Sequence, residues 1–422
     1  MSGYPDETLP WFRMIKDVNK VPLYIVSDIL ISESSQYADY IVPDTTYLEN
    51  WGMLPGFPTV PTGVLGIRQP VIAPMTAKTP SGEPMSVEQF FIDVALALHV
   101  PGFGSHAFAE GGSLTRREDY YLKMVANVAE YPSYLQKSGN SLVKTGPVPD
   151  ASTPAEYAAA ARWQDHYASA ITPAQWRKAG YVLARGGRFE DYNVGYLPAP
   201  VPLDMTYQYG QGKEPCQIYN AVLAKTHNTL TGKPFVPVAQ WAPVALFDGT
   251  LLDTVDSAKQ FPFMLSTYKQ PIHSKARTWA DPWLVELMPI GYLDMNPLDA
   301  RRQGLKDGDW VKIWSATYPE GIKAPVRIMP GVRLGVVSFP QPYGHWHYDA
   351  GTWTVNGRTF TGDAHLVTPV RLNALMRRDP SLTDAEGWGT CMIDPVGGGA
   401  DYFSTRVALE KTVAESVNPL LV

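Results

Sequence analysis

The stretch STYKQPIHS, residues 266–274, sets the hydroxyl of Thr267, the ammonium of Lys269, the amide of Gln270, the imidazole of His273 and the hydroxyl of Ser274 on one loop. Donors of these kinds leaving an apolar strand can bind a phosphate group. A solvated polar loop would carry the same residues. At VSD, 26–28, Asp28 stands at the carboxyl end of a strand, where parallel α/β sheets bind ligands, with the Ser27 hydroxyl beside it. Asp is also a common turn residue. YGHWHYD, 343–349, puts His345 and His347 at i and i+2 on one side of an extended chain, beside Trp346 and Tyr348. No third ligand such as a Cys lies nearby, which argues against a metal. That loop lines a ligand funnel or is an aromatic surface loop. In PVRLNALM the amide of Asn373 interrupts an apolar run, as a cap or as a ligand contact.

These residues need elements to hold them. The apolar run Leu23 to Val26 reads as a buried parallel-type strand, and Tyr40 to Val42 as its neighbour after a short crossover. From Trp51 to about Pro84 the chain is rich in Pro, Gly and Thr and reads as a long ordered loop. Ser86 caps an amphipathic helix with apolar residues at 87, 90, 91, 94, 95 and 98. Further helices are expected over 117–131, 153–171 and 172–186. The last two open on Thr-Pro, and the final one stops at Gly186-Gly187.

Residues 191 to 250 again read as loop. Beyond a boundary between Thr250 and Phe261 come the short strands FPFMLSTY, 309–316, 322–329, LGVVSFP and TRVALEKT, the pattern of a β-barrel. Asn296 caps a short helix begun by Pro297 and ended by Gly304, and Asp307-Gly308 turns the chain into the next strand.

At 422 residues the chain is long enough for two or three domains, each of roughly 100 to 200 residues. A net charge of -6 shows no footprint of nucleic-acid binding. The longest apolar stretches, 90–100 and 234–247, fall short of the roughly 18 residues of a membrane span. MSGYPDETLPWF has neither a basic start nor an apolar segment and does not read as a signal peptide; an exported protein would draw its signal from elsewhere. Cys216 and Cys391 stand far apart, which excludes a Cys-based iron–sulfur or zinc motif; each reads as a small buried hydrophobe.

Taken in order, STYKQPIHSKARTWADPWL, MNPLDARRQGLKDGDWVKIWS and VSD with ADYIVPDTTYLE resemble the molybdopterin dinucleotide oxidoreductases of the dimethyl sulfoxide reductase superfamily. That family carries a strand ending in Thr, a His about six residues on, a Ser/Thr-rich loop, an Asn-Pro-x-Asp-Ala helix and a Gly-Asp-x-Val strand. GIRQPVIAP, YVLARGGRFEDY and YGHWHYDAG resemble its tetrathionate reductase branch, and arsenate respiratory reductases approximate the last.

The resemblance implies an α/β plus β chain. Residues 1–50 would be the end of a dinucleotide-binding α/β sheet and 51–258 a helix- and loop-rich portion of a second α/β domain. Residues 259–422 would be a double-psi-type β-barrel that binds the cofactor. It implies the C-terminal portion of a catalytic subunit, inactive without its N-terminal half, in an enzyme that reduces a sulfur oxyanion such as tetrathionate. Arsenate, selenate, or polysulfide and thiosulfate are alternatives, as is a non-catalytic cofactor-cradling subunit.

The cofactor implied is molybdopterin guanine dinucleotide, whose pyrophosphate, guanine and pterin edges call for hydroxyls, N–H groups and a carboxylate. Ser27 and Asp28 would meet the guanine, and Thr267, Lys269, Gln270, His273 and Ser274 the phosphate and pterin. Asn373, His365 and His345 would line the pterin. The family's Cys-rich motif and molybdenum ligand have no match here, so no metal ligand is assigned. Implied partners are the N-terminal half, an iron–sulfur electron-transfer subunit, a membrane-anchor subunit and the oxyanion. The implied location is the periplasm or the outer face of the cytoplasmic membrane.

Overall fold

The computed structural model describes residues 14–55, 62–130, 134–138, 141–144, 146–193, 219–279, 281–341, 343–345, 351–363, 372–383 and 389–414. The chain divides into two compact units, one of residues 25–29 and 40–217, the other of 1–24, 30–39 and 218–422.

In the first unit β1 (Ile25–Asp28) pairs in parallel with β2 (Tyr40–Pro43), Ser27 opposite Val42. The strand starts later than the apolar run suggested and is not buried: Ile25 is 39% and Tyr40 65% exposed, and Leu23, ahead of the strand, is exposed as well. Burial requires a neighbour on each face, and a two-stranded sheet does not supply one. The Pro/Gly-rich stretch after Trp51 is also more regular than expected. It holds β3 (Gly52–Pro55) and β4 (Thr62–Arg68), which form an antiparallel sheet with β7 (Gly187–Asn193) in the order β3-β4-β7. Ladder pairing across the sequence overrides the local breakers. A separate hairpin joins β5 (Tyr134–Ser138) to β6 (Ser141–Lys144).

Among the described residues this unit also holds the helices α1 (Val87–Ala97), α2 (Arg117–Glu130), α3 (Pro154–Tyr167) and α4 (Pro173–Arg185). Thr153 with Glu156, and Thr172 with Gln175, form reciprocal capping boxes, each with Pro at the first helical position. Gly186 ends α4 at φ 67°, a conformation that glycine adopts without strain. Leu122, Val125, Ala129, Trp163, Trp176 and Val182 pack with Trp51 into the core.

In the second unit the described residues form a barrel from β8 (Phe263–Tyr268), β9 (Leu293–Met295), β10 (Trp310–Trp314), β11 (Ile322–Ile328), β12 (Val336–Pro340) and β15 (Thr405–Thr412). They close into a barrel in the order β10-β11-β9-β12-β8-β15. β8 runs parallel to β12 and β9 parallel to β11, while the other neighbours are antiparallel. Alternate residues point inward, so Leu265, Val311, Ile313, Val326, Val337, Phe339 and Val407 fill the interior. A hairpin outside the barrel pairs β13 (Trp353–Val355) with β14 (Arg358–Phe360) through Asn356-Gly357, both at positive φ as a two-residue turn requires.

Short helices α5 (Leu252–Val255), α6 (Pro282–Leu287) and α7 (Pro297–Arg302) link the strands. Asn296 caps α7 through the N–H of Leu298 at 2.8 Å, as its sequence suggests. Cys391 is partly buried and packs against the barrel core. Among the described residues no helix is long and apolar enough to cross a membrane.

Two outcomes are expected. Glu156 accepts hydrogen bonds from the N–H of Ser152 (2.7 Å) and Thr153 (2.9 Å) and from Arg185 (2.5 Å). These contacts, the Ser152 N–H foremost, draw its carboxyl down to about 2. A depressed folded value means the stabilisation is complete above the unfolded value of about 4.3 and is lost as pH falls toward the folded one. Thermal melts between about pH 5 and about pH 3 will show that loss, and Glu156→Gln will flatten it.

The exposed two-stranded sheet should also make the purified chain self-associate, since an unpaired apolar edge recruits strands. Sedimentation will show this association reduced by Ile25→Lys; a monodisperse monomer of the unaltered chain would count against the expectation.

Candidate ligand-binding site

Parallel β8 and β12 leave the barrel at the same end, and the polar residues that follow them meet there. Thr267 is buried, and its Oγ1 accepts from the side-chain amide of Gln341, just past β12, at 2.9 Å. The backbone closes the same junction, Gln341 N–H donating to Tyr268 O at 3.1 Å. Next on the loop, Gln270 is buried with its Oε1 3.4 Å from the Tyr343 hydroxyl, while Lys269 stands exposed. The same hydroxyl lies 3.2 Å from Met288 O, so its one hydrogen serves either carbonyl. Burial pushes the Tyr343 phenol well above its ordinary range, and the group remains a donor throughout physiological pH.

His273 is the best-enclosed member of the set, 1% exposed. Its Nε2 lies 3.0 Å from Met288 O, a pure acceptor, so Nε2 carries the hydrogen. Nδ1 lies 3.3 Å from Thr278 Oγ1, and that hydroxyl in turn accepts from Ser274 N–H at 2.9 Å. Both ring nitrogens are engaged within the protein, which makes His273 the post that holds the 269–279 loop. Trp279, fully buried, packs on His273 at 5.2 Å and Tyr343 at 5.0 Å, and stacks on His345 at 6.4 Å and 24°. His345 Nδ1 lies 3.2 Å from Glu33 Oε1, tying the 30–39 segment to the same aromatic group.

Nearby on the barrel wall, Arg327 Nε and Nη2 meet the two carboxylate oxygens of buried Asp294 at 2.6 and 3.0 Å. Tyr268 donates to Oδ2 at 2.7 Å. Burial first, and then this carboxylate, raise the Tyr268 phenol far above its usual value. The fork-to-fork pair and the phenol brace the strand end from which Lys269 departs.

The other expected residues have contacts of their own. Ser27 Oγ donates to Asp44 at 3.2 Å, and Asp28 Oδ1 accepts from Ile29 N–H at 2.8 Å; both belong to the first unit. Asn373 sits partly buried on a short 3₁₀ turn, Leu372–Leu375, where its carbonyl accepts from Met376 N–H at 3.2 Å. His365, Trp346, His347, Tyr348 and Cys216 fall outside the described residues. Gln341, Trp279, Asp294 and Arg327 are not singled out by the sequence. The one available signal was Gln341, placed directly behind a strand that must leave the barrel beside β8.

As a donor set, an exposed ammonium and an exposed Ser274 hydroxyl in front of a buried hydroxyl and two amides suit an anionic ligand that also presents amide-like edges. A phosphate-bearing pterin has that chemistry. The Asp28 carboxylate, acceptor only, suits an edge bearing N–H groups. Among the described residues no group of three His, Cys, Asp or Glu side chains could hold a metal ion.

Residues 263–385 match the family described as Molydopterin dinucleotide binding domain. Over 94% of its length the chain is 32% identical to a subunit of the selenate reductase of Mesobacillus selenatarsenatis, of which it spans 38%. Over 92% it is 31% identical to a subunit of the tetrathionate reductase of Salmonella typhimurium, of which it spans 36%. Acetylene hydratase from Pelobacter acetylenicus shares the fold, with a TM-score of 0.50 at 14% identity over 92% of this chain and 40% of that one. With the barrel, its matched domain and these relatives in agreement, the chain belongs to the molybdopterin oxidoreductases of the dimethyl sulfoxide reductase superfamily, as a C-terminal portion whose cofactor is molybdopterin guanine dinucleotide with molybdenum.

Proposed function

We propose that this chain is the cofactor-cradling part of a molybdenum reductase that acts on a chalcogen oxyanion, with tetrathionate as the substrate. The observation that carries the reading is the Thr267–Gln341 bridge at the shared exit of β8 and β12, inside the region that matches the dinucleotide-binding domain. When bound, the cofactor supplies the two-electron chemistry at molybdenum.

The chain's own residues bind and orient. Lys269 neutralises phosphate charge, and Thr267, Gln270 and Ser274 offer hydroxyl and amide contacts. His273 holds their loop from behind, His345 and Asn373 border the pterin, as would His365, and Ser27 with Asp28 contact the guanine. Buried Trp279 and Tyr343 keep water from the back of the loop. On the same reading the chain works with its own N-terminal portion, a membrane anchor and an iron–sulfur subunit, in the periplasm or at the outer face of the cytoplasmic membrane.

Selenate is the second reading, supported by 32% identity to the selenate reductase chain against 31% to the tetrathionate reductase chain.

Pterin and molybdenum are to be assayed in the purified chain alone and after co-expression with an N-terminal portion. Pterin is expected in the second sample, and its absence from both would sink the cofactor assignment and leave a structural subunit. Thr267→Val takes away the acceptor of the half-buried Gln341 amide, a cost of about 1 kcal/mol, and should lower pterin retention by about fivefold. Lys269→Ala should weaken retention more at low than at high ionic strength. Reduced-dye assays of the co-expressed enzyme should give tetrathionate a higher kcat/KM than selenate or arsenate; the reverse order would transfer the assignment.

A further inference from the structure

Between Tyr219 and Phe247 the barrel unit carries an irregular arm, closed on itself by isolated bridges from Tyr219 to Val238 and from His227 to Pro234. Leu246, at its end, is buried with Leu252 and Met392, but apolar side chains before it stay outside a core: Trp241 is 87% exposed, Leu230 73% and Val222 71%. Single exposed hydrophobes are ordinary, but several on one arm, a tryptophan among them, mark a surface made to be covered.

Charge says what covers it. The arm holds Lys225, His227 and Lys233 and no carboxylate, within a chain whose net charge is -6. The first carboxylate beyond it, Asp248, faces Lys233 but is committed to its own turn, accepting from Thr250 N–H at 2.8 Å. Two copies meeting arm to arm would set these lysines against each other, which disfavours a second copy as the occupant.

The arm also has a socket. A hollow of about 340 Å³ opens between Leu230, Phe235 and Phe247 on the arm side and Ile393 and Val396 on the facing loop, with His227 at its edge. Asn228 Nδ2 donates to Pro395 O at 3.0 Å and fixes the spacing of the two walls. Asp394, the acidic residue lining the hollow, is exposed, and its carboxylate accepts from Gly397 N–H. At Gly398 and Gly399 nothing lies within 4 Å of where a Cβ would stand, so the rim is open to a close approach.

We propose that the arm is a docking surface for an acidic protein face, which seats an apolar or aromatic side chain in the hollow while its carboxylates meet Lys225 and Lys233. The proposal stands on exposure, charge and shape, and does not depend on the cofactor assignment.

The test takes the full chain, with a random copolymer of glutamate and tyrosine as probe and poly-glutamate as control, across a salt series. The copolymer should bind about tenfold more tightly than poly-glutamate, and binding should weaken with salt. Lys225→Glu/Lys233→Glu and Leu230→Ser/Trp241→Ser, all at exposed positions, should each weaken it by about tenfold with circular dichroism unchanged. Equal binding by parent and variants, or no preference for the copolymer, would overturn the proposal. So would self-association that Leu230→Ser/Trp241→Ser abolishes, since the arm would then belong to a second copy.

Discussion

In the parallel pair β8 and β12, Leu265 lies beside Val337 and Thr267 beside Phe339. Both strands therefore leave the barrel at one end, and each delivers polar residues there. An antiparallel partner would have sent Gln341 to the opposite rim and left the Thr267 hydroxyl buried without its amide. Because side chains alternate along a strand, a slip of one residue would also turn Leu265 and Val337 out of the core. Packing of the barrel interior and placement of the binding loop are in this sense one constraint.

Behind that loop the stack of His273, Trp279, Tyr343 and His345 converts a polar segment into a fixed surface. Burying one large apolar side chain contributes about 1.5–3 kcal/mol, and each well-set ring pair about 0.5–1.5 kcal/mol more. The polar atoms inside the stack are satisfied: the His273 nitrogens by Thr278 and Met288, and the Tyr343 hydroxyl by Met288 or Gln270. A buried donor without such a partner would cost about 1–3 kcal/mol, enough to cancel one ring pair or two. The loop thus presents Lys269 and Ser274 outward with little ordering left to pay for when a ligand arrives.

The helical unit uses its buried charges in the same way. Arg117, 2% exposed, donates through Nε and Nη2 to Glu118, and its own N–H donates to Gln89. Asp119, fully buried, gathers the N–H groups of Thr115 and Arg116 at the start of α2. Such pairs add little net stability over an apolar replacement, but breaking one partner strands a buried charge. They specify where α2 begins and how it meets α1.

Local chemistry was legible in the linear chain wherever one short segment settles it. Thr-Pro with Glu or Gln three residues on gives the starts of α3 and α4; Asn296-Pro297 gives the start of α7; the alternation of 263–268 and 310–314 gives strands with an inward face. The loop 267–274 was visible as a donor set, since residue types and spacing suffice for that. Other features rest on contacts between residues far apart in the chain, which no local pattern encodes. These include the pairing of β3 and β4 through a Pro/Gly-rich stretch, the exposure of β1, the engagement of both His273 nitrogens, the Glu33–His345 pair across 312 residues, and Gln341 behind Thr267 across 74. Sequence determined which groups could serve a dinucleotide, and only the closed barrel decided which of them stand at its surface and which hold that surface in place.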